Sequence, residues 1–491
     1  MGLMRFIVVP PDRITKDLVE QAYLCGPDRV PWHVEVSPQD NELWLERSGS
    51  DSGCLHVPWV VEGYGQLMLS TSTLRERPEP YYLPLELARG KLSQVRNQLA
   101  EWQAAGLEVP PAVPEGLGEG IRWFAQAACS ERESATSVAA AERALVLALR
   151  AADALVAAYT EQALAIRRRM GNRIATVLGA DLGRAPLDNY AASQFRLTFS
   201  AAKVPMVWRA VETGEGQYAW DLTDRQMQWC RAHGLAVCAG PLVNFDRPAV
   251  PDWLQVCEGD FESMLAFATE YIQAAVDRYR GQVDCWHCVG RANRGDVLSL
   301  SEEEEIRLTA RAIEVARARD PQTPLLVSFD QPWGEYLSRK PKDFPPLQFA
   351  DMLLRAGLGL TGIGLEINVG YWPEGTPLRD PLEFSQGIDY WCLLGVPLFV
   401  ILTYPSSPAP DPLAQRKTRL PSGNWTPSGQ QLWVDRYLPV LLSKPLVQGI
   451  FWNQCRDSEP HPFAHGGLFD LQRHPKPVLR HLASIRQAHL R

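Results

Sequence analysis

Three carboxylates in the C-terminal half of the chain, Asp330, Glu335 and Glu366, stand where strand geometry can bring them together. In the stretch 362–369, Ile363, Leu365, Ile367 and Val369 alternate with Gly362, Gly364, Glu366 and Asn368, so an extended backbone sends the two sets to opposite faces. The apolar set must pack against other elements, which turns Glu366 and Asn368 inward. A buried carboxylate is costly unless it is paired or used. In the preceding strand, Leu326, Ser328 and Asp330 share a face, and Glu335 follows on a loop with Trp333 and Tyr336, whose flat rings suit stacking on sugars. Two carboxyls at one site can divide general-acid work from nucleophilic or base work. They can equally act as hydrogen bonders that orient a ligand, and Glu366 can simply pair with Arg291.

Asp457 is a further acidic candidate, on the segment Asn453–His461. His461 and His465 suggest a metal only on a helix, and Pro462 breaks that spacing, so no metal site is assigned. Cys285 and Cys288 form a C-x-x-C, but residues three apart on a strand face opposite sides, which argues against a redox pair. Ser301 followed by Glu304 is a helix-starting capping box. The glycines at 357–359 and 362–364 precede or lie within a strand rather than opening a helix, so no nucleotide loop is implied. No cofactor is expected.

The elements that must position these groups follow from the patterning of 491 residues. Apolar residues make up 46% and charged residues 22%, which suits a folded chain and excludes disordered and coiled-coil classes. A net charge of −8 without a basic block argues against nucleic acid. The apolar run at 6–9 is too short for a signal h-region, and no stretch approaches the ~20 residues of a membrane span. The ten cysteines follow no disulfide framework, and a cytoplasmic setting is expected. Oligomeric state is not legible.

Short alternating runs separated by turn residues predict a small β-sandwich-like domain over 1–78. Helical spacing of Leu85, Leu92, Val95 and Leu99, and again of Leu145, Leu149 and Leu155, predicts a helical connector over 79–170. It holds two long helices, a Pro/Gly-rich break at 109–116 and a short helix from Ile121 to Cys129. Over 171–491, eight strands alternate with helices, which predicts an α/β fold, a (β/α)8 TIM barrel. The expected strands are 174–179, 195–200, 235–243, 283–289, 325–330, 360–368, 398–403 and 447–453.

The barrel region resembles glycoside hydrolase family 10, the xylanase family. Met206-Val207-Trp208-Arg209, then Glu215-Gly216-Gln217-Tyr218 and Asp224, are similar to the family's N-E-M-K-W, E-G-x-F and helix Asp. His233–Val237, Gly240 and Pro251-Asp252-Trp253-Leu254 resemble its stretch from G-M-x-V through G-H to L-P-x-W. Gly449–Trp452, Gly467–Asp470 and His474–Pro477 resemble its eighth strand, L-L-F-D segment and K-P-A signature. The family's acid/base Glu ends W-D-V-V-N-E, where this chain has Arg291 after Trp286–Gly290. Its nucleophile ends I-T-E, where Thr403 stands, and the G-H histidine corresponds to Pro241.

The resemblance therefore implies a carbohydrate ligand, an oligo- or polysaccharide, and hydrolysis of an O-glycosidic bond through two carboxyls. The replaced residues move that chemistry to other carboxylates, with Glu366 leading and Asp330 or Glu335 as its partner. Trp208, Trp333, Tyr371, Trp372 and Trp452 are the expected sugar platforms, Arg291 and Asn368 the polar orienters, and Asp457 a further contact. The alternative is a carbohydrate-binding or scaffold protein that kept the barrel and lost the reaction.

Overall fold

The computed structural model describes residues 2–490 except 132, 170, 172, 258 and 419–424. The N-terminal part is built of two sheets. One runs in the order Glu35–Gln39, Glu42–Arg47, Gly2–Ile7, Tyr81–Tyr82, and the other Tyr23–Cys25, Cys54–Val61, Gly65–Ser70. Strict alternation buries every second side chain of Gly2–Ile7. Phe6, Leu43 and Leu45 of the first sheet then share one core with Leu24, Leu55 and Val57 of the second. Tyr81–Tyr82 belongs to this sheet pair, so the strands run past the expected edge at 78.

Three helices follow, Leu83–Ala104, Ala112–Cys129 and Ala135–Arg169. The middle one starts nine residues before the expected Ile121. Pro114 sits in its first turn, where a missing N–H breaks no helical bond, so the Pro/Gly-rich break is partly helix. These helices have two apolar faces. Leu87, Leu145 and Leu149 join the core of the sheets, whereas Val95, Leu117 and Leu155 join that of the barrel.

The barrel closes from eight parallel strands: Val177–Asp181, Ala201–Val204, Ala236–Ala239, Cys285–Gly290, Leu325–Asp330, Gly362–Asn368, Leu398–Thr403 and Val447–Trp452. The eighth strand pairs with the first and the third with the fourth, leaving no edge. Strand two differs from the expected 195–200. Asp188 accepts a hydrogen bond from the Ala191 N–H and caps a helix over Asn189–Thr198; Phe195 meets Phe199 one turn on, ring centroids 4.7 Å apart and the planes tilted by 54°. The strand begins only at Ala201.

Alternation sorts the strands' side chains into layers. Ala201, Cys238, Cys285, Leu326, Ile401 and Phe451 fill the lower interior. Ile363, Leu365 and Ile367 face outward into the helix-covered core. Cys285 and Cys288 indeed part company, one in the interior cluster and the other in the outer core. Ser301 and Glu304 form the capping box of the helix Glu302–Arg319. Among the described residues, no helix is long and apolar enough to cross a membrane.

Candidate active site

Above the apolar interior layer the inward positions turn polar. Ser328 on strand five donates its hydroxyl proton to Glu366 Oε1 on strand six at 2.7 Å. With that single proton spent, the 2.9 Å contact with His287 Nε2 on strand four requires the imidazole to donate. The backbone N–H of Arg291 donates to the same oxygen at 3.3 Å. Burial, reinforced by the charge of Lys203, holds His287 well below its usual pKa of 6.5 and therefore neutral. The line from His287 through Ser328 to Glu366 is thus a fixed, uncharged support ending in a carboxylate.

Arg291 follows the last residue of strand four in a left-handed conformation, φ +56°. Its guanidinium meets three carboxylates: Asp330 at 3.1 Å, Glu366 at 3.4 Å and Asp246 at 3.5 Å. Burial alone would lower its pKa, but Asp330, Glu366 and Asp246 outweigh that and raise it. Asp246 also receives Arg416 at 2.7 Å. Burial pushes the Asp246 carboxyl up, yet Arg291 and Arg416 together hold it below the usual carboxylate range.

Arg291, Glu366, Asp246 and Arg416 open onto a cavity of about 120 Å³ at the C-terminal ends of the strands. Its rim adds Asp181, paired with Lys203 at 3.4 Å, and Glu459, paired with Arg456 at 3.1 Å. Burial raises the Glu459 carboxyl above its ordinary value against the pull of Arg456, and its Oε2 has no hydrogen-bond partner. Trp208 also lines the cavity, its indole N–H given to Glu212 at 2.6 Å and its ring stacked on Tyr271.

Of the expected site residues, Glu366, Arg291 and Trp208 line this cavity. The others take up structural contacts away from its lining. Asp330 is fully buried between Arg291 and Arg294. Glu335 is equally buried, bonded to Arg379 at 2.8 Å and to the Thr376 hydroxyl. Trp333 lies under the Arg379 guanidinium, 4.6 Å from the ring centroid, and borders a different cleft. Asn368 bridges Asp330 and Asn453.

Two of the expected aromatic platforms are core residues whose polar atoms are already bonded inside. Tyr371 gives its hydroxyl to the Ala464 carbonyl at 2.8 Å and Trp452 its N–H to the Gly466 carbonyl at 2.8 Å. Trp372 is 8% exposed and does not line the cavity. Asp457 is buried against Lys476 at 2.5 Å. The residues missed by sequence reasoning, Asp181, Lys203, Asp246, Arg416, Arg456 and Glu459, are charged. His461 and His465 both turn to Asp411, at 3.0 and 3.8 Å, and among the described residues no cluster of His, Cys, Asp or Glu is arranged to hold a metal ion.

Residues 178–328, from the first barrel strand into the fifth, match the family described as Glycosyl hydrolase family 10. Endo-1,4-beta-xylanase A of Fusarium oxysporum f. sp. lycopersici is 25% identical over 183 residues, 36% of this chain and 52% of that protein. Endo-1,4-beta-xylanase B of Humicola insolens is 24% identical over 192 residues, 38% of this chain and 51% of that protein. The chain thus spans about half the length of the curated relatives it matches. Native xylanase 10B from Thermotoga maritima aligns with a TM-score of 0.49 at 15% identity, over 65% of this chain and 97% of that one. In sequence, residues 178–328 are thus similar to the corresponding part of family 10 enzymes. Arg291 lies inside the family-matched segment, and Glu366, Thr403 and Glu459 lie beyond it.

Proposed function

We propose that the barrel mouth acts on a carbohydrate, cleaving an O-glycosidic bond of an oligo- or polysaccharide, with Glu366 as the reacting carboxylate. The observation that carries this reading is that Glu366, alone of the three carboxylates favoured by the sequence, opens onto the cavity. Ser328 and Arg291 hold it in place. Its partner in this reading is Glu459, across the loop from strand eight, in place of the sealed Asp330 and Glu335. Burial favours the protonated form of Glu459, and two carboxyls with unlike surroundings are what acid and nucleophile roles need. Glu459 would protonate the leaving oxygen, while Glu366 attacks or stabilises the anomeric carbon. The xylanases among the relatives make a β-1,4-linked xylan the first substrate to test.

A second reading, saccharide binding without turnover, is favoured by the Arg291 guanidinium lying against Glu366 and by the absence of a carboxylate at Thr403. Release of reducing ends from xylan and xylo-oligosaccharides separates the two. Loss of release in both Glu366→Gln and Glu459→Gln, with ligand still bound, supports hydrolysis by this pair. Binding with no release by the wild type supports the second reading.

A further inference from the structure

A second cavity, of about 450 Å³, opens where the N-terminal sheets, the helix Leu83–Ala104 and the barrel helix Pro381–Cys392 meet. It is several times the volume at the barrel mouth and within the ~300–1,000 Å³ typical of ligand sites. Its chemistry differs from the mouth as well. The charges in and behind its walls are matched to one another. Arg379 is bonded to Glu335 and, at 3.1 Å, to the Tyr23 hydroxyl, and Lys91 is paired with Asp380 at 2.6 Å. Burial raises the Glu383 carboxyl, but the charges of Arg29, Lys91 and Arg379 outweigh it and leave its pKa below the ordinary value. Burial lowers His56 to about 4, so the imidazole is neutral. The ionised lining residues, Arg29, Arg379, Glu101 and Glu383, are two cations and two anions, so the cleft offers no net charge to an anion or a cation.

What the walls do offer is a row of side-chain amides. Gln94 donates to Gln386 at 2.8 Å, Gln386 to Gln98 at 2.6 Å, and Gln98 to Glu101 at 3.1 Å. A primary amide has two N–H donors and two lone pairs, so Gln98 keeps one of each for a ligand, Gln386 one N–H, and Gln94, whose donors go to Glu383 and Gln386, one lone pair. Two lining residues also carry buried polar atoms with no partner, Ser72 Oγ and Trp333 Nε1. Beside the amides stand the rings of Trp333 and Tyr390. Amides with donors and acceptors to spare, next to flat apolar rings and without net charge, match hydroxyl groups and sugar C–H faces.

We infer that this junctional cleft is a second binding site, for a neutral saccharide. It is built jointly by the N-terminal sheets, the connector and the barrel, and it is independent of the reaction at the mouth. The test is calorimetric titration of the full chain with neutral xylo-, cello- and manno-hexasaccharides, with hexagalacturonate as the anionic control. Asn97 lines the cleft from an exposed position, so Asn97→Trp plugs it without disturbing a packed residue, and thermal unfolding checks that the variant is folded. The inference expects a neutral hexasaccharide to bind the wild type and Glu366→Gln alike, and Asn97→Trp to weaken that binding at least about tenfold. Binding of that strength retained by Asn97→Trp but lost in Glu366→Gln, a preference for hexagalacturonate, or no binding of any neutral hexasaccharide each overturns it. Since release of reducing ends reports on the mouth and the effect of Asn97→Trp on binding reports on the cleft, failure at one site is distinct from failure at the other.

Discussion

Ser328 and Glu366, on adjacent parallel strands, share one hydroxyl proton at 2.7 Å, and the same Ser328 oxygen takes the His287 Nε2–H. The serine is the only hydrogen-bond link between a neutral imidazole and the carboxylate in this line. Ser328→Ala removes these two bonds and the one from the Arg291 backbone N–H, and leaves two buried donors and a buried acceptor without their shared partner. Unmade buried bonds cost about 1–3 kcal/mol, so Ser328→Ala is expected to lose that much in urea unfolding. Ser328→Thr, which keeps the hydroxyl, should lose less.

Arg291 is expected to be worth more. It stands between Asp330, which is fully buried, and Glu366. Arg291→Met leaves Asp330 with Arg294 alone, and breaking a buried ion pair by removing one partner costs about 3–5 kcal/mol. The double variant Arg291→Met/Asp330→Asn should recover part of this loss, because the stranded charge goes with its partner. Equal losses in single and double variants, measured by denaturant unfolding, would contradict the pairing.

Much of this arrangement was legible from alternation alone. The inward turn of Glu366, Ser328 and Asp330 and the outward turn of Ile363, Leu365 and Ile367 follow from period two, and the barrel confirms them. Strand two was misread because Phe195 and Phe199 repeat at a helical spacing within an apolar run, while the true strand, Ala201–Val204, is short and carries the inward Lys203. Trp452 and Tyr371 could not be told from sugar platforms, since an aromatic looks the same in sequence whether its polar atom is sealed or free. Asp246, Arg416 and Glu459 were missed because loops distant in sequence converge on the mouth, and no periodicity records that.

Glu335 illustrates a charge whose role is joining parts of the chain. Its pair with Arg379, which in turn bonds Tyr23, ties the barrel to the N-terminal sheets. Glu335→Ala is expected to destabilise the chain by about 3–5 kcal/mol and to split thermal unfolding into two transitions, seen by calorimetry. Binding and turnover at the barrel mouth at low temperature should be unchanged, which a catalytic Glu335 would not allow.

The neutral, buried His56 gives stability a pH dependence of known sign. Its pKa falls from 6.5 to about 4 on folding, because burial disfavours the charged ring. Above 6.5 both states are neutral and the full stability is present. As pH drops from 6.5 towards 4 the unfolded chain takes up a proton that the folded chain refuses, so stability declines through that window. The carboxylates held low, Asp246 and Glu383, are protonated only at still lower pH and add a second loss there. The urea midpoint should therefore fall between pH 6.5 and 4, and His56→Gln should flatten that part of the curve.

The last prediction concerns the positions where family 10 resemblance places the two glutamates. If the mouth had the family's geometry and differed only in these two side chains, Arg291→Glu/Thr403→Glu would give hydrolysis of xylan. The packing argues otherwise. Thr403 is fully buried, and the space around it is so tight that a Cβ on Gly466 would stand 2.6 Å from its Cγ2. A glutamate there is larger by two heavy atoms and carries a charge, and overpacking alone costs about 1–3 kcal/mol. Glutamate at 291 replaces the cation that Asp330, Glu366 and Asp246 all face, and so places four carboxylates together. The double variant should be strongly destabilised in thermal unfolding and release no more reducing ends than the parent. A gain in release would mean that the surroundings of 291 and 403 accept a glutamate pair, and would count against Glu366 as the reacting carboxylate.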